Sequence, residues 1–191
     1  MIDEMLELAN RNKEKMGVKN KGEKKMEYKI VEMTQSDWEQ VANIYFEGIK
    51  TGIATFQTNI PTWEDWNNSH ITSCRLVATL GDRILGWCAL SPTSSRCVYA
   101  GVAEVSIYIG EKYKGQGIGK NLLTNLIKLS EKNGFWTLYS GIIRENTASI
   151  SLHEKCGFRE IGIREKVAKM NNEKWLDVIL MELRSKIVGI D

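Results

Sequence analysis

Several absences narrow the reading of this chain. No apolar run approaches the length that crosses a bilayer, and residues 1–20 hold no continuous hydrophobic stretch of the secretory type. A cytoplasmic protein with no membrane contact is therefore expected. The four cysteines, Cys74, Cys88, Cys97 and Cys156, are widely spaced and form no Cys-x-x-Cys pair. Neither a zinc site nor a disulfide framework is suggested, no metal is expected, and the thiols read as small buried hydrophobes in a reducing compartment. Charge of one sign is also missing: 26 Lys and Arg against 24 Asp and Glu leave a formal +2. No global field draws the chain to nucleic acid or an anionic surface, so any anion site is local. The lysine-rich residues 11–25 contain no aromatic side chain, so the basic and aromatic pattern of a nucleic-acid face is not there. No internal repeat is visible.

What is present is an ordinary globular composition, 42% hydrophobic and 26% charged over 191 residues, enough to bury one substantial core. Residues 1–25 read as a polar N-terminal extension, in which Ile2, Met5, Leu6 and Ala9 recur at helical spacing, and a single domain is expected over 26–191. The segment EYKIVEM reads as a strand. Thr34 and Asp37 open a helix whose apolar stripe is Trp38, Val41, Ile44, Tyr45 and Ile49, and Gly48 and Gly52 are expected to loosen it. Residues 62–72 form a short helical stretch. RLVATL and RILGWCAL are strands joined across Gly81-Asp82, and AEVSIYIG (103–110) is another. A Gly-rich turn leads into a helix from about Gly117 to Lys132 with Ile118, Leu122, Leu126 and Leu129 on one side. WTLYSGII is a strand, Asn146 to Cys156 a helix closed by Gly157, and two strands turn at Asn171-Asn172. The order is mixed α/β of the α+β kind: an antiparallel meander, then a helical crossover, with the sheet mostly antiparallel, twisted and flanked by helices.

The segment Lys114-Gly115-Gln116-Gly117-Ile118-Gly119-Lys120 lies between a strand and a helix, where free backbone N–H groups and the positive end of the helix dipole converge. Its three alternate glycines remove Cβ atoms that would keep a diphosphate away, and Lys112, Lys114 and Lys120 add positive charge. A purely structural turn accounts for such a segment about as well. It is not a Walker loop, which needs Gly-Lys-Ser/Thr, nor a Rossmann fingerprint, which follows the first strand.

The turn resembles motif A of the GNAT superfamily, Gln/Arg-x-x-Gly-x-Gly/Ala, with Lys114 in place of the usual Gln or Arg. A second block, Asn146-x-x-Ser149-x-x-Leu152-His153-Glu154-Lys155-Cys156-Gly157-Phe158, resembles the stretch that follows motif A by one helix and one strand in these enzymes. Thr55-Phe56-Gln57-Thr58, Gly86-Trp87, Arg96-x-x-Tyr99, Ala103 to Ile109 and Trp175-x-Asp177-Val178 resemble the phosphinothricin acetyltransferase branch, so the likeness covers about residues 28–183. It implies the GNAT acyl-CoA N-acyltransferase fold and a homodimer. It also implies acetyl transfer from acetyl-CoA to the primary amine of a small molecule, such as phosphinothricin or methionine sulfone, by direct attack in a ternary complex. Some members carry a second arginine after Arg-x-x-Tyr where this chain has Ala100.

Acetyl transfer to an amine needs an unprotonated nucleophile, stabilisation of an oxyanion and a proton for the leaving thiolate. Period-2 alternation puts Glu104, Ser106 and Tyr108 on one face of their strand and Val105, Ile107 and Ile109 on the other. Taken alone, Glu104 reads as a solvated residue near a strand start; the resemblance implies a general base at this position. His153, one of only two histidines with His70, reads alone as a surface or capping residue. It falls where many of these enzymes place a tyrosine that protonates the thiolate, which implies an acid or proton relay. Asn146 reads as a helix N-cap that also meets the pantetheine arm or a water. Val105 and Ile107 are expected to offer backbone N–H groups to acetyl and pantetheine. With Ser106, Lys112, Lys114, Gly115, Gln116, Gly117, Ile118, Gly119, Lys120, Asn146 and Ser149 they make up the expected acetyl-CoA site. Phe56, Thr58, Arg96 and Tyr99 are the expected acceptor contacts, although Phe56, Trp63, Trp87 and Tyr99 each read equally as aromatic core and Arg96 as a solvated loop charge. Acetylation of protein N-termini or a polyamine, a silent acyl-CoA sensor and, least favoured, a nucleic-acid module remain as alternatives.

Overall fold

The computed structural model describes residues 26–170 and 174–190. The helical spacing of residues 2–9, the polar stretch 11–25 and the Asn171-Asn172 turn lie outside the described residues. Strands β1 (Lys29–Glu32), β2 (Arg75–Leu80), β3 (Arg83–Pro92), β4 (Val102–Ile109), β5 (Thr137–Ile143), β6 (Arg159–Met170) and β7 (Lys174–Arg184) form one sheet. Its seven strands are ordered β1-β2-β3-β4-β5-β7-β6, and every neighbour is antiparallel except the parallel β4–β5 pair. Four helices flank it: α1 (Trp38–Lys50), α2 (Trp63–Ser69), α3 (Ile118–Lys132) and α4 (Thr147–Lys155). Among the described residues no helix is long and apolar enough to cross a membrane.

Local chemistry fixes several element ends. The Thr34 N–H donates to the Asp37 carboxylate at 2.7 Å ahead of α1, and Thr62 Oγ1 accepts the Asp65 N–H at 3.1 Å to cap α2. Gly81 takes φ +58 in the two-residue β2–β3 connection, a conformation that favours glycine. Gly157 takes φ +94 just past α4.

Gly48 corrects an expectation. It does not loosen α1, which runs on to Lys50; a Cβ there would stand 2.7 Å from the Tyr108 ring, so the missing side chain lets that ring lie against the helix backbone. The reason is tertiary contact, not flexibility.

Alternation along the strands separates two cores. One face carries Leu76, Ala78, Cys88, Leu90, Ala103, Val105, Ile142, Ile179 and Met181, covered by Ile118, Leu122, Leu123 and Leu126 of α3 and by Ile150 and Leu152 of α4. The other carries Val77, Trp87 and Ala89 under Val41 and Ile44 of α1 and Trp66 of α2, with Tyr45 and Tyr108 packed alongside. Burial of this apolar surface on both faces of the sheet is the dominant favourable contribution to the fold.

Candidate active site

Strands β4 and β5 pair only at Val102↔Thr137, Ala103↔Leu138 and Glu104↔Tyr139. Beyond Glu104, β4 stays with β3 as far as Ile109, while β5 stays with β7 as far as Ile143. The sheet therefore splits, and one edge of β4 is left without a strand partner. The Gly110 N–H donates to the Leu85 carbonyl at 2.9 Å, which sets the phase: residues 104, 106 and 108 turn their main-chain groups to β3, and Val105, Ile107 and Ile109 turn theirs into the split. The N–H groups of Val105 and Ile107, expected to meet acetyl and pantetheine, thus point into the split. Ser106 is different, because its N–H faces β3 and it offers the split no main-chain donor.

Glu104 stands at the point of divergence, half-buried, on the face shared with Tyr108. Burial raises its carboxyl pKa above the ordinary range, and a hydrogen bond from the Gly141 backbone N–H opposes that rise only in part. The result is a carboxylate that holds a proton more tightly than a solvated one, as a general base must. Tyr139 is its parallel partner on β5. A Cβ added at Gly141 would stand 3.4 Å from the Tyr139 hydroxyl and 3.7 Å from Glu104 Oε1, so both groups lean over that glycine. Burial and the nearby Glu104 charge raise the Tyr139 pKa, and the Arg164 guanidinium opposes them. Tyr108 is raised further, by burial and then by Tyr45 beside it.

The Gly-rich turn opens α3. Gly115 (φ +76) and Gly117 (φ +79) are left-handed with nothing within 4 Å of a notional Cβ, so glycine is required by conformation and the space above the turn is open. The first main-chain bond of the helix runs from the Asn121 N–H to the Gly117 carbonyl at 3.2 Å, which leaves the N–H groups of Ile118, Gly119 and Lys120 without an intrahelical acceptor. Donors, dipole and open space together fit an anion. Gly119 has a different reason from its neighbours: a Cβ there would meet Leu152 at 3.2 Å, so its absence serves the packing of α3 against α4. Two side chains are also engaged elsewhere. Lys114 pairs with Glu111, and Gln116 Nε2 donates to the Lys112 carbonyl at 3.1 Å. Lys112 and Lys120 remain exposed beside the turn.

Asn146 caps α4, accepting the Ser149 N–H at 3.2 Å, as its bland reading requires. His153 is buried and edge-on to Phe158, with ring centroids 4.9 Å apart. Its Nδ1 lies 2.8 Å from the Ser149 carbonyl, which can only accept, so Nδ1 carries the proton. Nε2 is then a bare acceptor, and among the described residues it has no partner. Burial lowers the imidazole pKa, with the bond to Ser149 opposing it. An acid or proton relay was expected at 153; in this tautomer Nε2 is the end that would take up a proton, and burial resists the charge that follows. His70 is stacked on Trp66 at 4.1 Å, away from the split.

The expected acceptor residues fall on two loops. Phe56 is half-buried and Thr58 exposed on the loop after α1. Arg96 precedes the exposed turn Cys97–Tyr99 between β3 and β4, its guanidinium 5.5 Å from the Tyr99 ring centroid, so Tyr99 is not core. Trp87 is core, and Trp63 packs beside it. Sequence reasoning missed Tyr139, Gly141 and Arg164. The only available signal was that Tyr139 and Gly141 share a strand face; their place opposite Glu104 depends on register.

Residues 32–158 match the acetyltransferase (GNAT) family. The chain is 30% identical over 149 residues to a phosphinothricin N-acetyltransferase of Streptomyces coelicolor, covering 74% of this chain and 87% of that one. It is 33% identical over 85 residues to an L-methionine sulfoximine/L-methionine sulfone acetyltransferase of Pseudomonas aeruginosa, covering 44% and 49%. Among solved structures it resembles a GNAT superfamily phosphinothricin acetyltransferase from Sinorhizobium meliloti in complex with AcCoA, with TM-score 0.78, 25% identity, and 86% and 91% of the two chains covered.

Proposed function

This chain belongs to the acetyltransferase (GNAT) family and is an acetyl-CoA-dependent N-acetyltransferase, and we propose that its acceptor is the primary amine of a small amino-acid analogue such as phosphinothricin or methionine sulfone, attacked directly in a ternary complex. The observation that carries this reading is the placement of Glu104, a half-buried carboxylate of raised pKa at the mouth of the split between β4 and β5.

Acetyl-CoA supplies an activated thioester. The free N–H groups of Ile118, Gly119 and Lys120, with the open left-handed glycines 115 and 117, would hold its diphosphate, and Lys112 and Lys120 add charge to that hold. The N–H groups of Val105 and Ile107, aimed into the split, would hold the pantetheine arm and polarise the thioester carbonyl. Asn146 and Ser149 sit at the start of α4, where the cap leaves the Asn146 amide NH₂ available to the same arm. Glu104 takes the proton of the acceptor ammonium, through a water or directly, and its raised pKa suits that transfer near neutral pH. His153 orients Ser149 and offers Nε2 only as an acceptor, so we assign it a positioning role. Phe56, Thr58, Arg96 and Tyr99 would line the approach of the acceptor. The apolar Ile161, Ile163 and Trp175, exposed on the late strands, support a homodimer, which light scattering checks.

The test is thiol release from acetyl-CoA with phosphinothricin, methionine sulfone, spermidine and an N-terminal peptide. Turnover of the first two is expected, with kcat falling roughly 10²–10⁴-fold in Glu104→Gln while acetyl-CoA still binds. The rising limb of the pH–rate profile should lie above the ordinary carboxylate range, because the ionised form is the base, and should disappear in that variant. Turnover of spermidine or the peptide alone would overturn the acceptor assignment.

A further inference from the structure

Four arginines lie on or beside β5, β6 and β7, and three are engaged. Arg144 pairs with Asp177, Arg159 with Glu182, and Arg184 donates to the carbonyls of Trp136, Ser185, Val188 and Gly189. Arg164 pairs with no carboxylate among the described residues. The pairings Arg164↔Val178, Val178↔Ile143 and Glu104↔Tyr139 put Arg164, Tyr139 and Glu104 on one face of the sheet, with Glu104 and Tyr139 at the split and Arg164 on β6, beyond β7. The Tyr139 hydroxyl and the Glu104 carboxylate flank the space above Gly141, and the Arg164 guanidinium lies near enough to that hydroxyl to oppose the rise in its pKa.

An uncompensated cation with a hydroxyl donor beside it is a recognition pair for a carboxylate. The neighbouring Glu104 prefers the opposite charge. The arrangement matches a zwitterion, whose carboxylate is two bonds from its amine nitrogen. We propose that Tyr139 and Arg164 form the anion-binding arm of the acceptor site, taking the α-carboxylate of an amino-acid analogue while Glu104 takes the proton of its amine. This rests on the acceptor reading above and makes Arg164 and Tyr139 determinants of specificity. Gly141 belongs to the arm because its missing side chain keeps the space open: a methyl there would meet its neighbours at 3.4 to 3.7 Å, ordinary contact distances, and would occupy the volume the acceptor needs without straining the fold.

The experiment compares kcat/KM for methionine sulfone with that for the amine lacking only its carboxylate, in the wild type and in Arg164→Gln, Arg164→Lys, Tyr139→Phe and Gly141→Ala. Loss of a charged hydrogen bond predicts that Arg164→Gln lowers the preference for the carboxylate-bearing amine roughly 10- to 100-fold, through KM for the acceptor and not KM for acetyl-CoA. Arg164→Lys should restore part of it, as a point charge without the planar fork. Tyr139→Phe should lower it less, and Gly141→Ala should raise KM for both amines. An unchanged preference in Arg164→Gln overturns the arm and leaves the acetyltransferase reading standing. A wild type that acetylates a peptide or polyamine but neither sulfone amine removes the acceptor reading, and the arm with it.

Discussion

The face of the sheet under α3 and α4 and the face under α1 and α2 have different chemistry. The first is aliphatic, with Leu122, Leu123 and Leu126 fully buried against Leu90 and Met181. The second is aromatic, with Trp87 4.8 Å from Tyr108 and 5.6 Å from Trp66, and Tyr45 4.8 Å from Tyr108 between centroids. Aliphatic side chains seal a face; tyrosines bury a ring and keep a hydroxyl. The sealed face braces the sheet and presents the turn at the start of α3. The aromatic face continues into Glu104, Tyr139 and Arg164, where polar groups can meet an acceptor without entering a dry core.

Breaking each face should therefore have a different consequence. Leu126→Ala removes a fully buried side chain from the sealed face, and unfolding in urea should show a loss of about 2–5 kcal/mol with both KM values unchanged in the folded protein. On the aromatic face, Gly48→Ala drives a methyl to 2.7 Å from the Tyr108 ring. About 1–3 kcal/mol of stability should be lost, and KM for the acceptor should rise because that ring lies on the face of Glu104. Gly117→Ala touches neither core. It forces a side chain into φ +79 at the start of α3, at a cost of roughly 1–2 kcal/mol, and calorimetry should show weaker acetyl-CoA binding with acceptor KM little changed.

The smallest effect is shared by the two faces, since each packs one histidine, His153 buried and His70 half-buried. Burial lowers the pKa of His70 on the aromatic side and of His153 on α4. Between the lowered folded pKa and the ordinary value of about 6.5 the unfolded chain binds more protons, so stability rises with pH in that window and is lost as pH falls through it. Thermal melts between pH 7 and pH 5 should fall in the wild type and fall less in His153→Gln. A wild-type melting temperature that stays flat across that range would contradict the lowered pKa of the two histidines.

Much of this was legible in the sequence, for local reasons. The Gly81-Asp82 connection, the Asn146 cap and the alternation of β4 are each settled within a few residues, by turn conformation, a side chain accepting a helix N–H, and the pleat. Gly48 was misread because a glycine late in a helix looks the same whether it relaxes the chain or admits a ring from a strand 60 residues away. The tautomer of His153 was equally illegible, because it is set by a hydrogen bond to Ser149, one helical turn away in sequence but decided by burial and rotamer.

Composition, alternation and turn chemistry thus determined the order of elements, the Gly-rich turn and the facing of Glu104 on its own strand. Only the tertiary structure decided where β4 and β5 part, which carbonyls and amides face the gap, and that Tyr139 stands beside Glu104 with Arg164 on the same face of the sheet. The reason is physical. β4 and β5 are parallel and joined through the α3 crossover, so no hairpin turn sets their register; it is set by how α3 and α4 pack on the far face, a sum of many contacts that no short stretch of sequence contains.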